Sequence, residues 1–330
     1  MSAPQADGDS AFEIDPNIDE GSSIIDFTDE LESFTTSLTP SVKQYPYEHG
    51  RRYHAFKPGK YPLPNDEPEL DRLDLVHRMI KKVLGGRLFL APTTDFHSTL
   101  DLGTGTGIWT MEMGDTYPGS EFLGNDLSPV QPTWTPPNVK FEVDDIESEW
   151  AFGLEPRFDF IFARGLAFAV SDFPKLLQQA HANLRPGGWI EFQDFNVEWY
   201  SKDGTHTPDS DAAKFIQLLV DAARKAGKEP SPGPKLEQWI KDAGFQSVVH
   251  QRFKIPVGPW PRDQHQKETG LFNLSQALDG LEAYSLRLLT TELGWQPEEV
   301  KVLCAKVRSD LKSKACHRIT DFHVVYAQKP

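Results

Sequence analysis

Cysteine is nearly absent: Cys304 and Cys316 are the two among 330 residues, and both fall in what reads as a C-terminal helical stretch followed by a turn. A disulfide framework and a cysteine-rich zinc site are thereby excluded. No apolar run approaches the roughly 18 residues that a membrane-spanning helix needs. The first 40 residues contain ten acids and no Lys or Arg, the opposite of a signal or transit peptide. Removing that −10 from the formal net charge of −15 leaves the body near −5, mildly acidic and without an extended basic stripe. These absences point to a cytoplasmic or nuclear protein with no membrane span and no direct nucleic-acid partner.

The composition that remains divides the chain. Residues 1–42 combine acids with Ser and Thr and read as a disordered acidic tail, in which Ile24-Ile25-Asp26-Phe27 is a candidate binding segment against a solvated background. From residue 43 to 97 the character changes. Tyr45, Tyr47, His49, Arg51, Arg52, Tyr53, His54 and Tyr61 crowd into a proline-punctuated stretch, which is either an arm laid over the core or a lid over a ligand. Asn65 or Asp66 can cap the helix that follows, with Pro68 in its first turn and Leu70, Leu73, Val76, His77 and Ile80 on one face.

Residues 98–330 hold the chemistry. Leu100-Asp101-Leu102-Gly103-Thr104-Gly105-Thr106-Gly107-Ile108-Trp109 reads as strand, tight loop and helix. Such a loop lets backbone amides approach a ligand at a helix N-terminus. A dinucleotide fingerprint would require glycine where Ile108 stands, which disfavours a nicotinamide cofactor. A βα rhythm continues: strands at 121–126, 139–146, 158–163 and from 189, with a helix over 176–184 stopped by Arg185-Pro186-Gly187-Gly188. Alternation of this kind implies a parallel sheet with ligands at the strands' C-terminal ends. Asp101, Asp126, Asp144 and Asp145 fall at or near those ends, Asp126 about 20 residues after the glycine loop, where an acid can hold a ribose diol. Helices are expected over 211–226 and 234–243, a strand over 245–255, and a helical insertion over about 257–295 with Leu271, Leu274, Leu278 and Leu281 in its core. Lys301, Lys306, Arg308, Lys312, Lys314 and Arg318 read as a solvated helix face.

The series Asp101-Leu-Gly-Thr-Gly-Thr-Gly, Asp126-Leu-Ser-Pro-Val-Gln-Pro, Asp145-Ile146 and Leu184-Arg-Pro-Gly-Gly-Trp resembles class I S-adenosylmethionine-dependent methyltransferases in order and spacing. More narrowly, Glu48-His-Gly-Arg-Arg-Tyr-His, Leu63-Pro-Asn-Asp-Glu, Asp71-Arg-Leu-Asp-Leu and Phe322-His-Val-Val-Tyr-Ala-Gln-Lys-Pro resemble the fungal LaeA-like methyltransferases over residues 45–330. The resemblance implies an α/β, Rossmann-like class I methyltransferase fold: a mostly parallel seven-stranded sheet with helices on both faces, a helical insertion and an N-terminal lid.

It further implies S-adenosyl-L-methionine as cofactor, with Asp101, Gly103 and Gly105 around the methionine part and Asp126 on both ribose hydroxyls. Leu127 would lie beside the adenine, Asp145 would accept its amino group, and the Ile146 amide would face its ring. Asp144 competes with Asp145 for that role. Arg164, after the fourth strand, is expected to hold a carboxylate or to pair with an acid. Tyr53 and Tyr61 are candidates to shield the sulfonium, and His54, Tyr53 and His49 to position or deprotonate an acceptor. Two functions follow: methylation of a small-molecule acceptor in fungal secondary metabolism, or a LaeA-like regulator working with protein partners in a nuclear complex.

Overall fold

A computed structural model describes residues 44–94, 97–153 and 157–330. The acidic tail and its Ile24–Phe27 segment lie outside the described residues. A small hairpin, β1 (Tyr47–Glu48) and β2 (Arg51–Arg52), comes first and leads through a loop into α1 (Glu67–Val83). Asp66 caps α1 by accepting from the amide of Glu69, and Pro68 sits in the first turn, where its missing N–H costs no helical bond.

The core of the fold is β3 (Ser98–Leu102), α2 (Ile108–Thr116), β4 (Glu121–Asp126), β5 (Val139–Val143), β6 (Phe158–Arg164), α3 (Phe173–Asn183) and β7 (Leu184–Phe195). Next come α4 (Asp211–Lys225), α5 (Leu236–Asp242) and β8 (Gln246–Val257), then α6 (Gln264–Leu293), α7 (Pro297–Leu311) and β9 (Arg318–Gln328). The seven long strands form one sheet in the order β5-β4-β3-β6-β7-β9-β8. β3 to β7 pair in parallel, and β9 runs antiparallel between β7 and β8. The order reverses at β3, so a crevice opens where the loops after β3, β4 and β6 diverge.

Period-two alternation assigns the faces. Leu100, Leu102, Ile161, Ala163 and Ile190 pack on one side with Phe173 and Leu177 of α3 and Leu236 and Ile240 of α5. Phe122, Val139, Phe160 and Phe162 pack on the other with Trp109 and Met113 of α2, and the Trp109 and Phe162 rings stack at 3.8 Å. Further along that layer, Met79 and Ile80 of α1 meet Phe253, Ile255, Phe322 and Val324. Helices α4, α6 and α7 bury a separate cluster among themselves, centred on Phe215, Leu219, Leu289, Val300 and Val307.

Three expectations are corrected. The helix α3 ends at Asn183 as expected, but the next strand does not wait for Trp189: β7 begins at Leu184 and takes in Arg185–Gly188 as a bulge, exposed up to Gly187, where register shifts between the Phe158–Leu184 and Phe160–Trp189 pairs. A side chain at Gly188 would come within 2.9 Å of the carbonyls of Arg185 and Asp159, so the chain can cross there only with glycine. The insertion expected over about 257–295 is α6, closed by Gly294 in the left-handed C-terminal conformation at φ +73°, and the helix read through Lys301–Lys312 is α7. Leu271 is 41% exposed rather than core, while Leu281 is buried. Arg318 belongs to no solvated helix face: it opens β9, is 1% exposed, and its guanidinium holds the Asp310 carboxylate.

Candidate active site

The cleft at the switch point is lined by the glycine loop (Gly103, Thr104, Gly105, Thr106), by Asp126, Leu127 and Ser128 after β4, and by Asp144, Asp145 and Ile146 after β5. Arg164 and Leu166 after β6, Phe195 from β7, the Leu70, Leu73, Val76, His77 and Ile80 face of α1, and Lys60 and Tyr61 complete it. The helix face read from spacing in the sequence therefore forms the α1 wall of this cleft.

The loop has the conformation its glycines permit. Gly103, Gly105 and Gly107 all have positive φ (+67°, +58° and +80°), costly for residues with a Cβ. At Gly107 a Cβ would meet the Phe141 ring at 2.5 Å, whereas at Gly105 the nearest atom is Leu73 Cδ1 at 3.7 Å. Gly107 is thus set by packing, and Gly105 by its backbone conformation on an open side.

Asp101 supports the loop from below rather than lining the cleft. It is 3% exposed, and its Oδ2 accepts 2.6 Å bonds from the hydroxyls of Thr104 and Thr110. Asp126 closes the loop from the other side, accepting from Gly105 N and Ser128 N at 2.9 Å each. Burial pushes its carboxyl up to about 6, against the lowering effect of those amides. Each carboxylate oxygen has a lone pair to spare, so the residue can also accept a diol from the cleft.

Asp145 is held by the N-terminal segment. Its Oδ2 lies 2.9 Å from Lys57 Nζ and 3.6 Å from Lys60 Nζ, and its Oδ1 accepts from Glu147 N at 2.9 Å. Burial acts to raise this carboxyl, but the Lys57 hydrogen bond and the amide prevail and hold it below the usual range. Lys57 takes a left-handed φ of +49°, uncommon for a residue with a side chain, as the loop turns toward Asp145. The neck of this loop is closed: Arg51 grips Asp66 through two bonds of 2.6 and 2.7 Å, and Asn65 N donates to Arg52 O at 2.8 Å. Residues 53–64 therefore form a strap with a fixed neck and a tip fastened by ammonium–carboxylate pairs.

Within the strap, Tyr61 lines the cleft and Tyr53 and His54 do not. Tyr53 is fully buried, and the cation over its ring, 4.5 Å away, is the Arg287 guanidinium of α6, which also pairs with Glu48. The expected shielding of a sulfonium by Tyr53 is therefore corrected. Burial pushes its phenol up to about 12, and the hydroxyl has no hydrogen-bond partner. We expect Tyr53→Phe to leave methyl transfer unchanged and the melting temperature unchanged or higher, because it removes an unsatisfied buried hydroxyl; a loss of turnover would return the hydroxyl to catalysis. His54 is 1% exposed, and its ring lies 6.5 Å from that of Tyr61, outside the lining. Its Nε2 pairs with the Lys57 carbonyl at 3.2 Å, and burial pulls it down to about 4, so it is neutral at working pH. His49, in the turn between β1 and β2, is also absent from the lining.

Arg164 does line the cleft, and α1 supplies a partner that the sequence gives no signal for: its Nη2 donates to His77 Nδ1 at 2.6 Å, across 87 residues. Among the described residues no carboxylate lies within 4 Å of this guanidinium. Burial lowers it to about 10, leaving it charged at neutral pH. Sequence reasoning also missed Lys57 on Asp145; the fastened tip is a tertiary contact 88 residues apart.

A parallel sheet reversing at a glycine loop, with acids after the next two strands facing one cleft, defines a class I S-adenosylmethionine-dependent methyltransferase. Residues 75–251 match the family described as Methyltransferase domain. The chain belongs to that family and, within it, to the fungal LaeA-like methyltransferases. It is 46% identical over 303 residues to the methyltransferase pytC of Aspergillus terreus, covering 91% of this chain and 93% of that protein. It is 36% identical to the secondary metabolism regulator LAE1 of Cochliobolus heterostrophus (86% and 94% covered) and 32% identical to the protein-methionine methyltransferase laeA of Emericella nidulans (87% and 77%). Among the described residues, no helix is long and apolar enough to cross a membrane.

Proposed function

We propose that the cleft holds S-adenosylmethionine across the ends of β3, β4 and β5, and that its methyl group goes to a small, largely apolar acceptor in fungal secondary metabolism. The observation that carries this reading is the convergence of the glycine loop, Asp126 and Asp145 on one cleft to which α1, Leu166 and Phe195 give an apolar side. Asp126 accepts the ribose hydroxyls, Leu127 flanks the adenine, and Asp145 and the Ile146 amide recognise its edge. Gly105, open on its side-chain face, leaves room for the methionine part beside Gly103, which packs against Leu166; Asp101 braces the loop, and Arg164 meets the methionine carboxylate with its unmatched charge.

When bound, the cofactor supplies a methyl group already activated on a cationic sulfur. The protein then has to align the acceptor and exclude water. Tyr61, Leu70, Leu73, Leu166 and Phe195 offer an apolar surface for the acceptor. The lining contains no neutral histidine other than His77, whose Nδ1 is already engaged by Arg164, so an acceptor that ionises readily suits this site better than one needing a strong base.

A second reading, in which the same fold works as a regulator with protein partners in the nucleus, is favoured by the relatives named as secondary metabolism regulators only as far as the word regulator goes. Incubation with fungal metabolite extracts and methyl-labelled donor separates the two. The small-molecule reading predicts donor-dependent label in the low-mass fraction. Label on protein alone would contradict it and favour the regulator.

A further inference from the structure

His77 and Arg164 meet at the methionine end of the cleft, one from the middle of α1 and the other from the end of β6. A guanidinium donates and never accepts, so the 2.6 Å contact fixes Nδ1 of His77 as the acceptor and places the ring proton on Nε2. Nε2 lies 3.4 Å from Glu112 Oε1 without hydrogen-bond geometry, while Lys81 Nζ holds Glu112 Oε2 at 2.6 Å. The acids that act on Arg164 electrostatically are Asp101, Glu112 and Glu191. Each is engaged elsewhere: Asp101 by Thr104 and Thr110, Glu112 by Lys81, and Glu191 by the amides of Leu90 and Ala91 and by the Gln193 side chain. A half-buried cation is thus left facing the cleft; among the described residues its hydrogen-bond partner is a neutral ring that is itself 1% exposed, and the Phe162 ring lies 5.8 Å away.

We propose that His77 is a positioning residue: it holds Arg164 toward the cleft and apart from Glu112, keeping the guanidinium uncommitted for the carboxylate at the cofactor's amino-acid end. The inference rests on the reading that Arg164 receives that carboxylate. Without an acceptor at position 77, the Nη2 donor loses its partner and Glu112 becomes the available anion, so the charge is neutralised inside the protein rather than on the ligand.

The test compares S-adenosylhomocysteine with 5′-methylthioadenosine, the thionucleoside lacking the amino-acid end, by calorimetry on the full chain. His77→Phe keeps ring volume without an acceptor, and His77→Gln restores an amide oxygen. The preference for S-adenosylhomocysteine should fall by about tenfold or more in His77→Phe and return to within about threefold of wild type in His77→Gln. Binding of 5′-methylthioadenosine should be the same in all three, showing the adenosine half intact; His77→Leu carries the same comparison if phenylalanine is not accommodated. An unchanged preference in His77→Phe, or a parallel loss for both ligands, would overturn the proposal. Failure of the underlying reading looks different: Arg164→Met would keep the wild-type preference.

Discussion

Asp126→Ala should weaken binding of S-adenosylhomocysteine by roughly a hundredfold while the protein stays folded. Two hydroxyls donating to one carboxylate are each worth about 1.5–3 kcal/mol, and about 1.4 kcal/mol is tenfold in affinity. The substitution also strips Gly105 N and Ser128 N of their acceptor, loosening the loop on which the ligand lies. The same group gives a pH signature. The carboxyl sits at about 6 in the free protein, chiefly because it is buried, and a diol favours its ionised form. Affinity therefore rises with pH through 6 and levels off above it. At pH 5.5 about a quarter of the residue is ionised, so binding should be roughly fourfold weaker than at pH 7.5, and the step should vanish in Asp126→Ala. Calorimetry at the two pH values checks both; wild-type affinity in the variant would remove Asp126 from the site.

The largest expected loss of stability falls outside the cleft, at Gly270→Ala. In most helix interiors this exchange gains up to about 1 kcal/mol. Here α6 lies against the end of β8 so closely that Gly258 N donates to Gly270 O at 2.9 Å, and an added Cβ would meet Gly258 O at 2.1 Å. The obstacle is backbone and cannot rotate away. The helix must lift, loosening the 2.9 Å bond from Asn273 Nδ2 to Pro256 O and, further along, the Gln276–Arg72 contact and the Tyr284 ring beneath Arg72. We expect about 2–3 kcal/mol of destabilisation, read as a drop of several degrees in melting temperature. A higher melting temperature would show that propensity outweighs the contact.

The cofactor half of the cleft was legible because it is local. Asp126 ends β4 and Asp145 follows the end of β5 by two residues, each strand is marked by its own sequence, and the sheet's topology brings those ends together. The Asp66 cap and the α1 face were legible for the same reason, from spacing within one helix. The acceptor half was not. Whether Tyr53 or Tyr61 faces the ligand depends on where a strap with little regular structure crosses α6, and residue type carries no information on that; Arg287, 234 positions away from Tyr53, claims the first ring. Arg318 reads as one more surface cation until β9 buries it against Asp310. The double glycine after Leu184 signals a break, yet hydrogen bonding to β6 resumes beyond it, so one strand contains what reads as a boundary.

The claim that the switch-point cleft is a site for the methyl donor is tested most directly by one calorimetric titration of the full chain with S-adenosylhomocysteine, run beside NAD. The account predicts one equivalent of S-adenosylhomocysteine bound and no competing heat from NAD, because Ile108 stands where a dinucleotide loop needs glycine. Tighter binding of NAD, or no binding of S-adenosylhomocysteine by a protein that melts cooperatively, would contradict it.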